Sequence, residues 1–554
     1  MAQHYATGHP TPHRRTSRSL YPLLGLILLL FASPLWSQPA PHLQAILKHA
    51  DDMERAGKWS DVIKCYESAI KDFPADSALT DRLVSARMHH DIARRYRDSS
   101  FIRDQLQLTP RRALDVYTEV LNKIETYYVE RPQWSTVVKR GLRQIDEAFE
   151  EPLFRKHHPT KLNASILANY QHAVREKIDT DNIERLADAR EAAWSASHLA
   201  HHYLGITPQA AMLEFISAAT GSLDRYSAYL TPNQLEEVFS QIEGSFVGIG
   251  IELKSTGDDL EIVSVIPGGP AAEAGILAGQ HIVAIAGKRT SAATIDADAD
   301  RLKGQQNSFV NLIVQARDGN ETNHRLARRL VDVPSVDRIQ WLDRESGIVY
   351  FRLASFQKST SKDVDQVLWD LQRKGMQFLV IDLRGNPGGL LTAAVDLADK
   401  FLSEGAIVST RGRSPQEDYK YLARAPGTWN VPLAVLVDRN SASASEIFAA
   451  AIGEHQRGLV VGERSYGKGS VQGIFPLSMA NCGLRLTTAK FYSPTGRPIS
   501  HQGIVPNVVV HQVSKPIDDA SGFLPSATRD AGLQAALKIA QNELGLVIPP
   551  SANE

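Results

Sequence analysis

The sequence predicts a multidomain α+β fold: a helical amino-terminal region, a small β-rich module and an α/β core follow one another along the chain. Three observations carry that expectation. The chain has 554 residues, 43% hydrophobic and 22% charged; this length and composition bury more than one core and exclude a disordered or collagen-like chain. Apolar residues recur at helical spacing from residue 42 to 241, and from Gly244 they give way to short β-patterned runs broken by glycine and proline. From Val333 onward strands alternate with helices, the pattern of an α/β core.

Residues 1–37 read as a secretory signal. Arg14, Arg15 and Arg18 precede an apolar run from Leu23 to Ala32, flanked by Pro22 and Pro34 and closed by the small Ser37. The run is short against the roughly 20 residues that span a bilayer. Two outcomes stay open: cleavage near Ser37, or retention as an anchor built from Leu20 to Trp36. The expected location is periplasmic or otherwise extracytoplasmic, with a membrane attachment only if the segment is retained. Residues 42–241 form the helical region. Within it AGKWSDVIKCYESAIKDFP, Ala56 to Pro74, resembles one tetratricopeptide unit and is expected to be a helical hairpin that an adaptor could engage; a lone unit cannot build a solenoid.

Residues 244–332 make the β-rich module, with FVGIGIEL, LEIVSVI, HIVAIAG and FVNLIVQA as strands and AAEAGI as a short helix. Residues 333–515 make the α/β core. There GIVYFRL (347–353) leads to a helix at 361–375, FLVIDLR (378–384) runs into GNPGG and a helix from Leu390 to Leu402, and LAVLVDR (433–439) runs into SASASEIFAAAIGEHQ. Residues 516–554 form a tail with one amphipathic helix, Ala531 to Glu543, which either packs back onto the core or mediates assembly.

Charge and cysteine content remove several classes. Lys plus Arg (61) nearly equals Asp plus Glu (62), so no global positive field draws nucleic acid. The two cysteines, Cys65 and Cys482, exclude a disulfide framework and a thiolate zinc site, and both are expected as free thiols. His198, His201 and His202 stand at i, i+3 and i+4 without the acid of an HExxH pattern, so they read as a helix face rather than a metal site.

Chemistry is expected beyond the carboxyl ends of the core strands. After FLVIDLR, the glycines of Gly385-Asn386-Pro387-Gly388-Gly389 let the backbone turn and aim N–H groups outward. After LAVLVDR, the small residues around Ser443 leave a hydroxyl at the start of a helix, beside free backbone donors. Such a serine is either a helix cap or a nucleophile. In Gly467-Lys468-Gly469 the glycines permit close approach, and a desolvated lysine loses proton affinity and can serve as the base that a serine nucleophile needs. The run Gly462 to Gly469 also spells G-x-x-x-x-G-K, but a phosphate-binding loop requires Ser or Thr next and the chain has Gly469. Glu446 is read as stabilising the first helical turn.

The motifs SLDRYSAYLTP, GSFVGIGIEL, DLRGNPGG, NSASASEI, GERSYGKGSVQ and LTTAKFYSPTGRPI, in this order, resemble the carboxyl-terminal processing peptidases, or tail-specific proteases, over about Leu213 to Val510. The resemblance implies a serine-protease core of that type and a PDZ domain over 244–332. It implies Ser443 as nucleophile, Lys468 as general base and Gln472, one helical turn beyond, as the residue that orients the lysine. The amide of Ala444 and that of Gly388 or Gly389 would form the oxyanion hole. The dyad would cleave protein substrates through an acyl-enzyme, with no metal and no other cofactor. In the PDZ domain Gly248, Ile249, Gly250 and Ile251 would capture the carboxyl terminus of a substrate, preferably an apolar one, and the domain would gate the proteolytic site. The alternative is a non-catalytic or adaptor-gated peptide-binding scaffold. Departures from the family pattern are LKGQQNS (302–308), Asn507 in place of a common aspartate, and Cys482.

Overall fold

The computed structural model describes residues 41–158, 164–255, 259–291, 298, 301–424, 428–511 and 530–546. The signal-like segment 1–37 lies outside them. Among the described residues no helix is long and apolar enough to cross a membrane. The chain divides into two compact units, 1–86 and 87–554.

In the first unit the helices Pro41–Arg55 and Trp59–Asp72 are joined by a turn in which Gly57 takes φ +66°. Their apolar faces close on Leu43, Ala50, Val62, Tyr66 and Ala69, with Leu79 and Leu83 completing a small core. The hairpin expected within 56–74 is therefore displaced: that stretch holds the turn and a single helix, and the partner helix precedes it.

The second unit begins with helices packed around Pro208–Gly221, in which every residue from Ala210 to Thr220 is buried. A helix apolar on all sides belongs at the centre of a bundle. Its one carboxylate, Glu214, accepts two hydrogen bonds from the buried Arg95 guanidinium, at 3.1 and 2.6 Å. Three Thr-Pro pairs start helices here. Thr109, Thr207 and Thr231 each accept from a backbone N–H of the first turn (3.3, 3.4 and 3.3 Å) while the proline fills a position whose N–H would lack a partner.

The core sheet has six strands in the order Val336–Asp343, Ile348–Leu353, Phe378–Asp382, Leu433–Val437, Leu459–Gly462 and Val508–Val509. All pairings after the first are parallel. Parallel strands buried on both faces read as continuous apolar runs, as FLVID and LAVLV do. Leu379, Ile381 and Val435 face the helices Thr360–Arg373, Leu391–Asp399 and Ala444–Glu454; Phe378, Val380, Ala434 and Leu436 face the helix Ala531–Glu543 through Leu533, Ala536 and Ala540. The carboxyl-terminal helix thus packs back onto the core.

A second sheet was not foreseen. The ten-residue strand Gly483–Tyr492 is its hub, pairing with Ala228–Leu230, Ala406–Gly412 and Ser470–Pro476, while Tyr419–Leu422 extends the edge. The β-rich module is a third sheet, Ile251–Ser255, Leu260–Val265, His281–Ile285, Phe309–Gln315 and Glu321–Ala327, over a core of Ile262, Ile282, Ile285, Leu312 and Val314. FVGIGIEL is two strands rather than one. Gly250, at φ +79°, breaks it, so that Ser245–Gly248 pairs with Arg329–Asp332 while Ile251–Ser255 enters the module's sheet. Cys65 and Cys482 are free thiols.

Candidate active site

Two neighbouring core strands end at Asp382 and Val437, and their loops lean on each other. Ala442 N–H donates to Asn386 O (3.1 Å), and Gly385 N–H donates to Asp438 Oδ1 (3.0 Å). Of the three serines in SASAS, two hold this junction: Ser441 Oγ donates to Leu383 O (2.8 Å) and Ser445 Oγ to Asn386 O (3.0 Å), both residues fully buried. Ser443 alone of the three lines a cavity of about 610 Å³ that Lys468 and Gln472 also line. Its φ of +58° is strained for a residue with a Cβ, the kind of cost held at functional sites by the surrounding structure.

The lysine lies in the loop that leaves the core strand Leu459–Gly462 and enters the second sheet at Ser470. Gly467 and Gly469 are needed because the chain at His501 and Ser500 presses against them: a Cβ on Gly469 would fall 2.3 Å from Ser500 N, and one on Gly467 3.1 Å from Gly503 N. Lys468 is half-buried. Burial lowers its pKa, Arg485 and Arg225 add to the effect, and Glu446 opposes it. Its ammonium lies 5.3 Å from the centre of the Tyr226 ring.

Gln472 stands on the strand Ser470–Pro476, not on a helical turn. An irregularity between Val471 and Gln472 places it opposite Thr487. Its amide donates to Thr487 Oγ1 (2.9 Å) and Ser470 Oγ (3.2 Å), and its buried Oε1 has no hydrogen-bond partner among the described residues. The acceptor that would take an N–H from the lysine is thus held in place and open; the expected bond itself is not formed.

The candidate oxyanion donors differ from one another. Gly388 N–H is tied to Asn386 Oδ1 at 2.8 Å, and Gly388 Cα packs behind Ser443, where a Cβ would fall 2.7 Å from Ala442 O and 2.8 Å from Ser443 Cβ. Gly389, by contrast, lines the cavity. Among the described residues neither Gly389 N–H nor Ala444 N–H has a hydrogen-bond partner.

Glu446 does more than stabilise a helical turn. Fully buried, it accepts Ser443 N–H (2.8 Å) and Lys468 N–H (2.9 Å) on one oxygen, and Ser465 Oγ (2.6 Å) and Gly467 N–H (2.7 Å) on the other. One carboxylate therefore fastens the serine loop to the lysine loop. The signal was its three-residue offset from Ser443, but the partners at 465–468 are long-range. A second such residue is Arg384, which donates to Asp382 (2.7 Å) and to both oxygens of Asp530 (2.7 and 2.8 Å) at the start of the carboxyl-terminal helix.

In the β-rich module Ile249 is buried; its carbonyl accepts Ala271 N–H (2.9 Å), and Gly250 O accepts Ile266 N–H (2.9 Å). Ile251 begins an edge strand whose outer side pairs with no strand among the described residues. Gly248 lies in the separate ribbon. None of these residues lines the Ser443 cavity. His198 and His201 each direct Nδ1 at a backbone carbonyl, Trp194 O and Ile206 O, both at 2.9 Å.

A strand-to-helix turn bearing Ser443 and the half-buried Lys468 line one cavity on an α/β core joined to a small β-rich module. The profile of Peptidase family S41 matches residues 347–510 and that of a PDZ domain matches residues 261–316. A carboxy-terminal-processing protease of Bartonella bacilliformis is 38% identical over 298 residues, covering 52% of this chain and 67% of that protein. A carboxyl-terminal-processing protease of Synechocystis sp. is 35% identical over 292 residues, covering 52% and 68%. Among solved structures, the photosystem II D1 C-terminal processing protease is 24% identical with a TM-score of 0.39, covering 76% of this chain and 99% of that one. The chain belongs to the carboxyl-terminal processing serine protease family and carries a PDZ domain.

Proposed function

We propose that the protein is an extracytoplasmic endopeptidase that uses a Ser443–Lys468 dyad and recognises the carboxyl termini of its substrates. The observation that carries the reading is the single cavity lined by Ser443, Lys468 and Gln472, with the two loops fastened by Glu446. Neutral Lys468 takes the proton of Ser443, and the serine oxygen attacks a peptide carbonyl. The N–H groups of Ala444 and Gly389, unpartnered among the described residues, receive the developing oxyanion; Gly389 is preferred to Gly388, whose N–H donates to Asn386 Oδ1. The tetrahedral intermediate collapses to an ester on Ser443, with the proton passing from Lys468 to the leaving amine. Water, deprotonated by the same lysine, hydrolyses the ester. Gln472 Oε1 accepts an N–H from Lys468 as the dyad closes.

Leu391, Ile447, Val471 and Phe491 give the cavity an apolar side that suits apolar residues next to the scissile bond. The edge strand Ile251–Ser255 supports capture of a substrate tail by strand addition, with the backbone of residues 248–251 at the terminal carboxylate. The charge and apolar order of residues 1–37 supports export. A gated resting state, opened by a tail or an adaptor, is the second reading, favoured by the missing partner of Gln472 Oε1.

The test incubates residues 38–554 with an unfolded protein ending in apolar residues and identifies fragments by mass spectrometry. Cleavage by the wild type, insensitivity to EDTA, and none with Ser443→Ala or Lys468→Ala support the dyad. Slower cleavage of a carboxyl-terminally amidated substrate supports tail capture. Binding without cleavage supports the gated scaffold, and unchanged cleavage by either variant overturns the dyad.

A further inference from the structure

We propose that Arg485 is a specificity-determining residue of the proteolytic cavity, where its guanidinium binds a carboxylate carried by the substrate; the inference rests on the reading of Ser443 and Lys468 as the dyad of that cavity. Arg485 lies on the hub strand Gly483–Tyr492 and lines the cavity together with Lys468. Its Nε donates to Tyr226 O (2.9 Å), which anchors one side of the guanidinium. Among the described residues both Nη groups are without a hydrogen-bond partner, and no carboxylate forms an ion pair with Arg485. The side chain is half-buried, so this cation has lost part of its water without gaining a counter-charge. Burial, then Arg94, lowers its pKa, while Asp224 raises it. Asp224 is already engaged: its Oδ1 accepts the N–H groups of Tyr226 and Ser227, each at 2.7 Å.

Charge is spread unevenly along the cavity. The hub strand carries Arg485, Ala489 and Phe491 past it, a run of roughly 20 Å at about 3.3 Å per residue. Among the described residues Glu417 is the one carboxylate that lines the cavity, and it belongs to the far end: Thr410, paired with Phe491 in the sheet, donates its Oγ1 to Glu417 O (2.6 Å). That separation exceeds the Debye length of about 8 Å at physiological salt, so Glu417 does not neutralise Arg485. A guanidinium with open Nη donors and no internal counter-charge matches a planar carboxylate, which it can grip with two parallel N–H bonds. The position follows from Tyr226, which meets Arg485 through its backbone and has its ring centre 5.3 Å from the Lys468 ammonium. Base and guanidinium are thus separated by no more than about four residues of extended chain. The carboxylate is an Asp or Glu side chain within that distance of the scissile bond, or the terminal carboxylate of a short leaving fragment.

The experiment uses the full chain and internally quenched peptides whose cleavage point is mapped by mass spectrometry. One set, amidated at the carboxyl terminus, carries Asp or Asn at each position near the cleaved bond; a second set, free of acidic side chains, ends a few residues beyond that bond in a free or an amidated terminus. The first set reports a side-chain carboxylate and the second a terminal one. Arg485 also holds down the Lys468 pKa, so each result is read as the kcat/KM ratio of charged to neutral peptide within one variant, where a change in the base cancels. The expected ratio is at least about 10 for one pair in the wild type, about 1 in Arg485→Gln, intermediate in Arg485→Lys and inverted in Arg485→Glu. Tail capture by the PDZ domain does not depend on Arg485 and drops out of the comparison between variants. Calorimetric binding of the same peptides to Ser443→Ala reads the preference without turnover, so a preference in binding with no cleavage by the wild type keeps the carboxylate site and sinks the dyad. A wild-type ratio near unity in both sets, or a ratio that Arg485→Gln leaves unchanged, overturns the site while the dyad stands.

Discussion

Replacing Glu446 by glutamine tests how the two site loops are held together. The carboxylate accepts four donors between 2.6 and 2.9 Å, two on each oxygen. Glutamine keeps one oxygen, so it serves one pair and turns an NH2 group against the other pair of donors. Each hydrogen bond to a charged group contributes about 1.5–3 kcal/mol, so losing two costs about 3–6 kcal/mol. Relief from burying a charge offsets part of this, leaving a net loss of about 2–4 kcal/mol. Glu446 touches backbone of both Ser443 and Lys468 but no reacting atom, which makes it a positioning residue. Urea unfolding of Glu446→Gln should show a lower midpoint with an unchanged slope, and kcat/KM on an unfolded protein should fall about 100-fold, equivalent to about 2.7 kcal/mol. Stability within about 0.5 kcal/mol of wild type together with activity within about threefold would refute the reasoning, since the fastening would then carry neither fold nor geometry.

Other perturbations separate the remaining parts of the site. Lys468→Arg should be inert at every pH because a guanidinium stays protonated, whereas wild-type kcat should rise with pH through a lysine pKa held below its usual 10.5 and be lost on the acid side. The same depression means that the charged lysine is disfavoured in the fold: the penalty is present below the folded pKa and fades as pH rises toward the unfolded one. Lys468→Met should therefore raise the melting temperature at neutral pH while abolishing cleavage. Gly388→Ala, at φ +102° and 2.7 Å from Ala442 O, should displace Ser443 and reduce kcat about 100-fold. Asp530→Asn removes one of two carboxylates that hold Arg384; it should cost about 2 kcal/mol in urea unfolding and lower kcat more than it raises KM. Burial raises the Asp530 pKa but Arg384 outweighs it and holds it below the usual range, so this stability is present at neutral pH and is lost as pH falls below the unfolded aspartate value.

The core was legible because its strands are buried on both faces, so FLVID and LAVLV read as unbroken apolar runs and the helices between them keep their period. The carboxyl-terminal helix, Ala531–Glu543, was legible for the same reason: its stripe of Leu533, Ala536 and Ala540 meets the sheet at helical spacing. The second sheet was not. Its hub, GLRLTTAKFY, alternates weakly, and its partners come from Ala228, Ala406 and Ser470, positions that no local period connects. The break at Gly250 was visible only as a glycine, because a positive φ leaves no mark on the hydrophobic pattern.

That difference explains which site residues could be found. Ser443 and Lys468 each sit in a short loop whose glycines and small residues are contiguous in sequence, so the chemistry of each loop could be argued locally. What joins them is not local. The serine follows a strand of the parallel sheet, Gln472 stands on the antiparallel one and Lys468 sits in the loop that joins the two, so the cavity lies at the seam between two layers. A seam needs groups that reach both sides, and the chain provides a buried carboxylate for the serine and lysine loops and a half-buried guanidinium for the GNPGG loop and the tail. Both are charges in low dielectric, where a satisfied network holds one geometry and a half-satisfied one is strongly destabilising. The precision of the site thus depends on Glu446 and Arg384 as much as on the residues that would meet the substrate. In sequence, these two are indistinguishable from ordinary surface charges.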